Sequence, residues 1–260
     1  MSRINPEVTN GSVIPQVESS FFLNRPESRF AIGVLAVDSS IIPGRQNEYE
    51  AYLQLRRRVY VEQTGYLSPE DIQPDGTDRD EDDTRSIAFA VVENRGIDQR
   101  LVATARLIRK DLGVSIGADP RPLPVEQEWP EAFTDLPSEP KSAEVSRLIS
   151  RYEKPAIQEI NKRKLYAELL AYARANGIVS AYAFVDEKLE RDLRRVVPTR
   201  RLGTPKYVGQ YHTINVPIEI DMPQLAERLE VADPGSLTIR QAKIGEIAYY
   251  GTLKHVSEAA

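Results

Sequence analysis

The sequence predicts an α/β fold in which a mixed central sheet is flanked by helices. Short apolar runs alternate with amphipathic, helix-forming segments along most of the chain. Two early strand-like runs adjoin as a hairpin, whereas a later strand, helix and strand follow in the order of a crossover. A hairpin places strands antiparallel and a crossover places them parallel, so the sheet should contain both kinds of neighbour. A ligand cleft is then expected where the central strands diverge.

Composition excludes several kinds of site. The 260 residues carry 34 Lys and Arg against 39 Asp and Glu, a net charge of −5, which disfavours a nucleic-acid-binding protein. The absence of Cys excludes disulfides, thiolate nucleophiles and cysteine metal sites, and with two His residues no metal site is expected. No apolar run approaches the ~18 residues of a membrane span, and no secretory leader opens the sequence. A cytoplasmic protein is therefore expected.

The N-terminal half predicts one strand, one helix and a hairpin. The first 29 residues are polar and lack periodicity, so they are expected to form a flexible N-terminal arm. Tyr52, Leu55 and Val59 recur at helical spacing, and Gly65 is a plausible helix end. The predicted elements are a strand at 29–37, a helix at 47–65, an acidic loop at 68–85, and hairpin strands at 87–93 and 101–108.

The C-terminal half predicts the crossover and the closing strands. Residues 110–142 contain six prolines and the only Trp, and a long irregular stretch of this kind is often functional. The elements expected after it are a strand at 143–150, a helix at 162–176, a strand at 178–185, a charged helix at 187–196, strands at 201–209 and 211–220, and a helix at 223–231. These boundaries predict one domain over residues 30–231 and a C-terminal extension at 232–260.

Two charged segments in the N-terminal half are candidate site residues. Arg56 and Tyr60 lie four apart and share one face of the predicted helix, which is either a binding face or a solvated one. Asp80 and Asp83 flank two further acidic residues just before a strand. Four adjacent like charges require either solvent screening or a cationic partner such as Arg.

Two charged positions inside predicted strands carry more information. Arg106 interrupts an apolar strand and needs a carboxylate partner if it is buried, although it could instead face solvent. On a regular strand Glu144 and Ser146 would face one side and Arg147 the other, and a bulge would re-aim them. Because the strand is expected to be central, charges there need partners.

Six motifs in this order resemble those of the acyl-homoserine-lactone synthases and the related N-acyl amino acid synthases. They are L-R-x-x-V-Y, G-Y, D-x-x-D, L-V-A-T-A-R-L, L-P-x-E-x-x-W-P and E-V-S-R-L, and they span about residues 47–220. The resemblance implies the three-layer fold of the N-acetyltransferase-like (GNAT) superfamily. It also implies an acyltransferase that makes autoinducers for quorum sensing or other N-acyl amino compounds.

By motif position, the resemblance also implies site residues. The residues that would bind the amino substrate are Arg56, Tyr60, Tyr66, Asp80, Asp83 and Arg106. Tyr60 stands where the family usually has Phe, and Tyr66 where it usually has Trp. Glu144, Ser146 and Arg147 would form the catalytic group. The acceptor implied is S-adenosylmethionine or an amino acid, and no cofactor is expected to stay bound.

The chemistry can be argued from the residues themselves. Acyl transfer from a thioester to an amine needs a positioned carbonyl, an oxyanion donor and a group that accepts the amine proton. Glu144 could accept the proton, directly or through one water, and backbone N–H groups of a splayed strand could hold the pantetheine arm. No side-chain nucleophile is needed.

The donor is expected to be the phosphopantetheine thioester of an acyl carrier protein. Residues 152–164 contain no glycine, whereas coenzyme A-dependent relatives carry a glycine-rich turn that grips pyrophosphate. An acidic carrier needs a basic docking face, which could be formed by Arg151, Lys154, Lys162, Arg163 and Lys164. Those bases could also be merely solvated. The alternatives are a coenzyme A-dependent N-acetyltransferase and a non-catalytic acyl-binding module.

Overall fold

The computed structural model describes residues 30–95, 98–112, 119–135, 139–232, 237–239 and 251–253. The predicted N-terminal arm, residues 1–29, lies outside the described residues, and so does most of the predicted C-terminal extension. No helix among the described residues is long and apolar enough to cross a bilayer.

A mixed sheet of nine strands forms the centre of the fold, as predicted. The strands are β1 (Phe30–Val37), β2 (Ser40–Ile41), β3 (Ser86–Arg95), β4 (Asp98–Arg109), β5 (Ser142–Ser150), β6 (Ser180–Asp186), β7 (Thr199–Arg201), β8 (Lys206–Val208) and β9 (Thr213–Ile220). Their order is β2-β1-β3-β4-β5-β6-β9-β7, with β8 also paired to β9. Among the strands that the structure describes in this sheet, the pair of β5 and β6 is parallel and the other pairs are antiparallel.

Helices cover both faces of this sheet and give the three layers that the resemblance implied. They are α1 (Gln46–Arg57), α2 (Pro124–Glu128), α3 (Pro155–Ala175), α4 (Glu187–Leu193) and α5 (Met222–Ala232). On one face, Tyr52 and Leu53 of α1 pack with Ala90 of β3. On the other face, Leu165 and Leu169 of α3 belong to the main core.

Several boundaries differ from the predicted ones for local reasons. The helix predicted at 162–176 begins earlier because Pro155 suits a first helical position. The predicted helix at 47–65 changes to a π-helix over Arg58–Gln63 and ends there, two residues before Gly65, whose φ of +64° favours glycine. The single strand predicted at 201–209 is wrong. The strand is interrupted between β7 and β8, where Gly203 packs against Trp129.

Two irregularities of β5 shape the centre of the sheet. Its parallel pairing with β6 ends at Glu144 opposite Tyr182, after which β5 runs on to Ser150 and β6 to Asp186. The two strands therefore diverge and leave a gap. The register with β4 also shifts between Thr104 and Arg106, and Arg147 takes a left-handed φ of 51°. The regular alternation of Glu144, Ser146 and Arg147 is therefore broken by a bulge, the case in which their side chains were expected to be re-aimed.

A second, two-stranded antiparallel sheet lies in the predicted C-terminal extension. It pairs β10 (Leu237–Ile239) with β11 (Gly251–Leu253). The sequence reading gave no structure for this segment.

Candidate active site

A buried ionic network links helix α1 to the acidic loop. Arg56 donates from Nε to Asp78 Oδ2 at 2.9 Å and from Nη1 to Asp83 Oδ1 at 2.8 Å. The Arg56 side chain is fully buried, so the solvated alternative for its helix face is wrong. Asp78 was seen in the sequence only as one of several acidic residues, because no local spacing separates it from its exposed neighbours.

The same network reaches the sheet through two further arginines. Arg106 donates to Asp80 and Asp83, and its Nε donates to Ser146 Oγ at 2.9 Å. Arg147 Nη2 donates to Asp80 Oδ2 at 3.1 Å. Arg106 is 1% exposed, so the expectation of carboxylate partners holds and the solvent-facing alternative fails.

The D-x-x-D spacing has a local structural reason. Asp80 Oδ1 accepts the backbone N–H groups of Asp82 and Asp83, and Asp83 Oδ2 accepts the N–H of Asp80. This reciprocal capping box starts the short 3₁₀ turn Glu81–Arg85 and aims both carboxylates inward. Burial alone would raise the pKa of Asp83, but Arg56 and Arg106 outweigh burial and hold that pKa well below its usual range.

The bulge places Arg147 between two aromatic rings. Its guanidinium carbon lies 5.2 Å from the ring centre of Tyr60 and 5.4 Å from that of Tyr211. Nη1 also donates to the Tyr211 hydroxyl at 2.9 Å. Tyr60 donates to the carbonyl of Leu148 on β5. Arg147 is thus held from both sides. Tyr211 is a site residue that the sequence reading missed.

The gap between β5 and β6 is a cleft of about 330 Å³. Its walls include five of the predicted site residues: Tyr60, Tyr66, Glu144, Ser146 and Arg147. The other four predicted residues, Arg56, Asp80, Asp83 and Arg106, do not line it. They lie behind the wall and hold Ser146 and Arg147 in place. The predicted set therefore divides into cleft residues and supporting residues.

Glu144 lies where the two strands separate. It is 1% exposed, and its Oε2 accepts the backbone N–H of Val125, at the start of α2, at 2.7 Å. Burial raises the pKa of Glu144 to about 8, although the Val125 hydrogen bond opposes the shift. A carboxyl with this pKa exists in both protonation states near neutral pH, which suits proton transfer.

A different carboxylate lies on the opposite wall. Asp186, at the end of β6, accepts the Tyr66 hydroxyl on Oδ2 at 2.9 Å. Its Oδ1 caps α4 by accepting the N–H groups of Lys188 and Leu189. Asp186 was not predicted as a site residue. A clue was present, since an acidic residue that ends a central strand and starts a helix tends to lie at the cleft edge.

An apolar cavity adjoins the cleft and lies between the sheet and helices α3 and α5. Its volume is about 60 Å³, and it shares Val145, Leu148 and Val185 with the cleft wall. Almost all of its lining is apolar, with Leu170 of α3 and Ile218 of β9 among the lining residues. The cleft, whose wall includes charged side chains, thus adjoins a space whose apolar lining suits a hydrocarbon chain.

The five bases of the predicted docking face have different surroundings. Arg151 and Lys154 are exposed in the segment that follows β5, at the open end of the diverging strands. Lys162 and Arg163 both lie within salt-bridge distance of Glu159. Lys164 is partly buried, with its ammonium group over the ring of Phe30. The structure leaves Arg151 and Lys154 as the most available positive charges of the five.

No protein-family model matches the sequence, and no curated protein does. Solved structures do match. TofI, solved in a ternary complex with an inhibitor and MTA, is 20% identical, with a TM-score of 0.55 over 78% of this chain and 97% of that chain. FeeM, an N-acyl amino acid synthase from uncultured soil microbes, is 17% identical, with a TM-score of 0.55 over 80% and 98%. This chain has the fold of these proteins.

A third similar structure shows what a protein of this fold can bind. BjaI, a CoA-dependent acyl-homoserine lactone synthase solved with SAM and isopentyl-CoA, is 18% identical, with a TM-score of 0.57 over 77% of this chain and 89% of that chain. At these identities the likeness establishes the fold, in agreement with the fold predicted from the motifs.

Proposed function

We propose that the protein is an N-acyltransferase that moves an acyl chain from a carrier-bound thioester to the amine of an amino-acid-like substrate. One observation carries the proposal: a single cleft borders a buried carboxyl group, Glu144, and also shares the wall residues Val145, Leu148 and Val185 with an apolar cavity. Amine chemistry and hydrocarbon binding therefore meet where β5 and β6 separate. Similar structures that are named as acyl-homoserine lactone and N-acyl amino acid synthases support this reading.

In this mechanism the diverging strands hold the donor. Beyond Glu144 and Tyr182 the facing edges of β5 and β6 no longer pair with each other. Backbone groups on those edges are then available to hold the pantetheine arm and to donate to the thioester oxygen as negative charge develops on it. The acyl chain extends into the apolar cavity past Val145 and Val185.

Glu144 receives the proton of the attacking amine in this scheme. The neutral amine attacks the thioester carbonyl, the C–N bond forms, and the tetrahedral intermediate expels the thiolate of the carrier. The amine proton passes to ionised Glu144, directly or through one water, and can then protonate the departing thiolate. Arg147 and Ser146 line the reaction space, and the ionic network behind them keeps them in place.

The amine substrate enters a cleft that contains carboxylates of its own. The resemblance implied that Asp80 and Asp83 bind the amino substrate, but both are engaged by arginines. Asp186 also lines the cleft, and its hydrogen bonds in the described structure come from neutral donors, a tyrosine hydroxyl and two backbone N–H groups. We therefore assign the attraction of a cationic acceptor to Asp186. S-adenosylmethionine and amino acids both carry such a cationic amine.

The donor is proposed to be an acyl carrier protein, which docks on the exposed bases after β5. The segment between β5 and α3 has no glycine to let the backbone wrap a pyrophosphate, and α3 begins with a proline, which has no N–H to donate. Coenzyme A is the second candidate donor, because BjaI, which has the same fold, is described as CoA-dependent.

One experiment tests both halves of the proposal. The purified protein is incubated with acyl carrier thioesters or acyl coenzyme A, together with a panel of amino acids and S-adenosylmethionine, and products are identified by mass spectrometry. We expect N-acylated product with carrier thioesters and little with coenzyme A. Product from coenzyme A alone would move the assignment to the second candidate. A complete absence of N-acyl product would favour a non-catalytic acyl-binding module.

A further inference from the structure

The short helix α2 holds Glu144 from outside the cleft. Val125, the second residue of α2, donates its backbone N–H to Glu144 Oε2 at 2.7 Å. The other oxygen, Oε1, accepts no hydrogen bond from the residues that the structure describes. An incoming amine proton therefore has one carboxyl oxygen open to it, and the direction of the Val125 N–H determines which oxygen that is.

An ion pair ties α2 to the strand beside Glu144. Lys110 follows β4 directly, and its backbone N–H donates to the carbonyl of Ser142 on β5 at 3.0 Å. Two residues earlier, Ile108 is the register partner of Glu144. The buried ammonium group of Lys110 donates to Glu126 Oε1 of α2 at 2.6 Å. The helix is therefore attached to the sheet within two residues of the position opposite Glu144.

Glu126 joins this ion pair to the turn that contains Val125. While its Oε1 binds Lys110, its Oε2 accepts the backbone N–H of Leu123 at 2.8 Å. A carboxylate three residues into a helix that accepts the N–H of the capping residue fixes the first turn. Because Val125 lies between Leu123 and Glu126, its N–H is fixed in direction as well. Glu126 and Lys110 do not themselves line the cleft.

The Val125 hydrogen bond has a larger effect on Glu144 than any neighbouring charge. Burial raises the pKa of Glu144 to about 8, and the Val125 N–H is the strongest of the groups that oppose this rise. The charged groups that face Glu144 act less strongly: Arg106 on β4 and Arg85 in the turn before β3 favour the ionised form, and Asp82 in that turn opposes it. On β6, its register partner is a tyrosine. Any change that turns the N–H away should therefore make Glu144 harder to ionise.

We infer that Glu126, paired with Lys110, is a positioning residue of the acyltransferase, which holds the Val125 N–H against Glu144 Oε2 and so keeps Oε1 free for the proton of the amine. This inference rests on the proposed function, in which Glu144 is the base. It adds to that function a residue that acts from outside the cleft, through the backbone of α2, and touches neither substrate.

The test compares two carboxylates of the same short helix. Glu126→Ala removes both contacts, and Glu126→Gln keeps an oxygen for the Leu123 N–H but loses the charge that binds Lys110. Glu128→Gln is the matched control, because Glu128 is 39% exposed and lies 3.6 Å from Lys206. For each protein, kcat is measured against pH with an acyl carrier thioester at saturating amine. The ionisation of Glu144 is followed separately, without substrates, as the infrared carboxyl absorption that Glu144→Gln lacks.

In Glu126→Ala we expect both titration midpoints to move to higher pH and kcat near neutral pH to fall about tenfold, with much of the rate recovered at high pH. Glu126→Gln should give a smaller change in the same direction, and Glu128→Gln should match wild type.

A merely structural role of Glu126 would lower kcat at every pH and leave the midpoints in place. The inference is overturned if the infrared midpoint of Glu144 is unchanged in the folded Glu126 variants, or if Glu128→Gln moves it equally. If Glu126→Ala does not fold, Glu126→Gln decides the question. Absence of N-acyl product from wild type would instead contradict the proposed function, and the infrared titration would still test the positioning role.

Discussion

At the scale of single residues, the site depends on how burial and neighbouring charges set the pKa values of two carboxyl groups, those of Asp83 and Glu144. Asp83 is buried against Arg56 and Arg106, which favour its charged form. Glu144 is buried with one backbone N–H as its hydrogen-bond donor, so burial prevails and its pKa rises to about 8. Two acidic residues of the same site therefore differ in role, because within the described residues Asp83 has cationic partners in direct contact and Glu144 does not.

Glu144→Gln should lower turnover by about tenfold or more, because the amide cannot accept the amine proton. In wild type the rate should rise with pH through about 8, since only the ionised carboxyl group acts as a base. The pH profile of the variant should show only the titration of the amine substrate. The measurement is kcat against pH at saturating amine, and identical profiles for the two proteins would exclude Glu144 as the base.

The same carboxyl group should make folding stability depend on pH. Its pKa is higher in the folded protein, about 8, than its ordinary value of 4.5, so its favourable contribution is full below 4.5 and is lost as the pH rises through 8. Between pH 5 and pH 9, wild type should lose roughly 1–4 kcal/mol more unfolding free energy than Glu144→Gln. Urea denaturation at both pH values measures the difference. Equal losses would contradict the raised pKa.

At the scale of elements, the capping box at Asp80 and the bulge at Arg147 bring the ionic network together. The box aims two carboxylates from the acidic loop, and the bulge turns Arg147 towards them although alternation along β5 would point it away. Helix α1 contributes Arg56 from the other side. The network therefore joins a loop, a helix and two strands. The loss of one charge would leave its partner charges buried, without compensation and out of contact with solvent.

Asp83→Asn should destabilise the protein by about 3–5 kcal/mol, because it leaves Arg56 and Arg106 buried with less compensating charge. Asp75→Asn, in the exposed part of the same acidic loop, is the control, and its free energy of unfolding should be close to that of wild type. Chemical denaturation at neutral pH measures both. If the two variants are equally stable, the network does not contribute as proposed.

At the scale of the whole molecule, an acidic chain has two exposed bases, Arg151 and Lys154, directly after the strand that diverges from β6. Arg151 and Lys154 follow β5 directly, while the neighbouring bases on α3 already share Glu159. An acidic carrier protein would be guided to the opening by these charges, and the effect would weaken as salt is added.

Reversing Arg151 and Lys154 to Glu should raise the KM for the acyl carrier about tenfold or more and leave kcat much less affected. Reversing Lys162 and Arg163 to Glu should raise the KM for the acyl carrier less, because Glu159 already offsets both charges. Arg57→Glu, on the exposed side of α1, is the control. A free acyl-pantetheine donor should show no change in KM with any of these variants. An unchanged KM for the carrier in both double reversals would rule out this docking face.

Local patterns were enough to predict most elements, and the family resemblance supplied part of the candidate site. The hairpin and the crossover follow from spacings within a few residues, whereas Glu144, Arg147 and the acidic pair were assigned to one site by the six motifs. The prediction of one strand at 201–209 was wrong, because the strand is interrupted where Gly203 contacts Trp129, a residue far away in the sequence. Asp186 and Tyr211 were missed for the same reason, since only the folded sheet brings them to the cleft.

The sequence by itself determined the fold class and most of the order of strands and helices, because both depend on periodicity within a few residues. The tertiary structure alone decided which carboxylates are neutralised by arginines, which one has a raised pKa, and which side chains line the cleft. Those properties depend on burial and on the distances between segments that are far apart in sequence, and both are defined only in the folded chain.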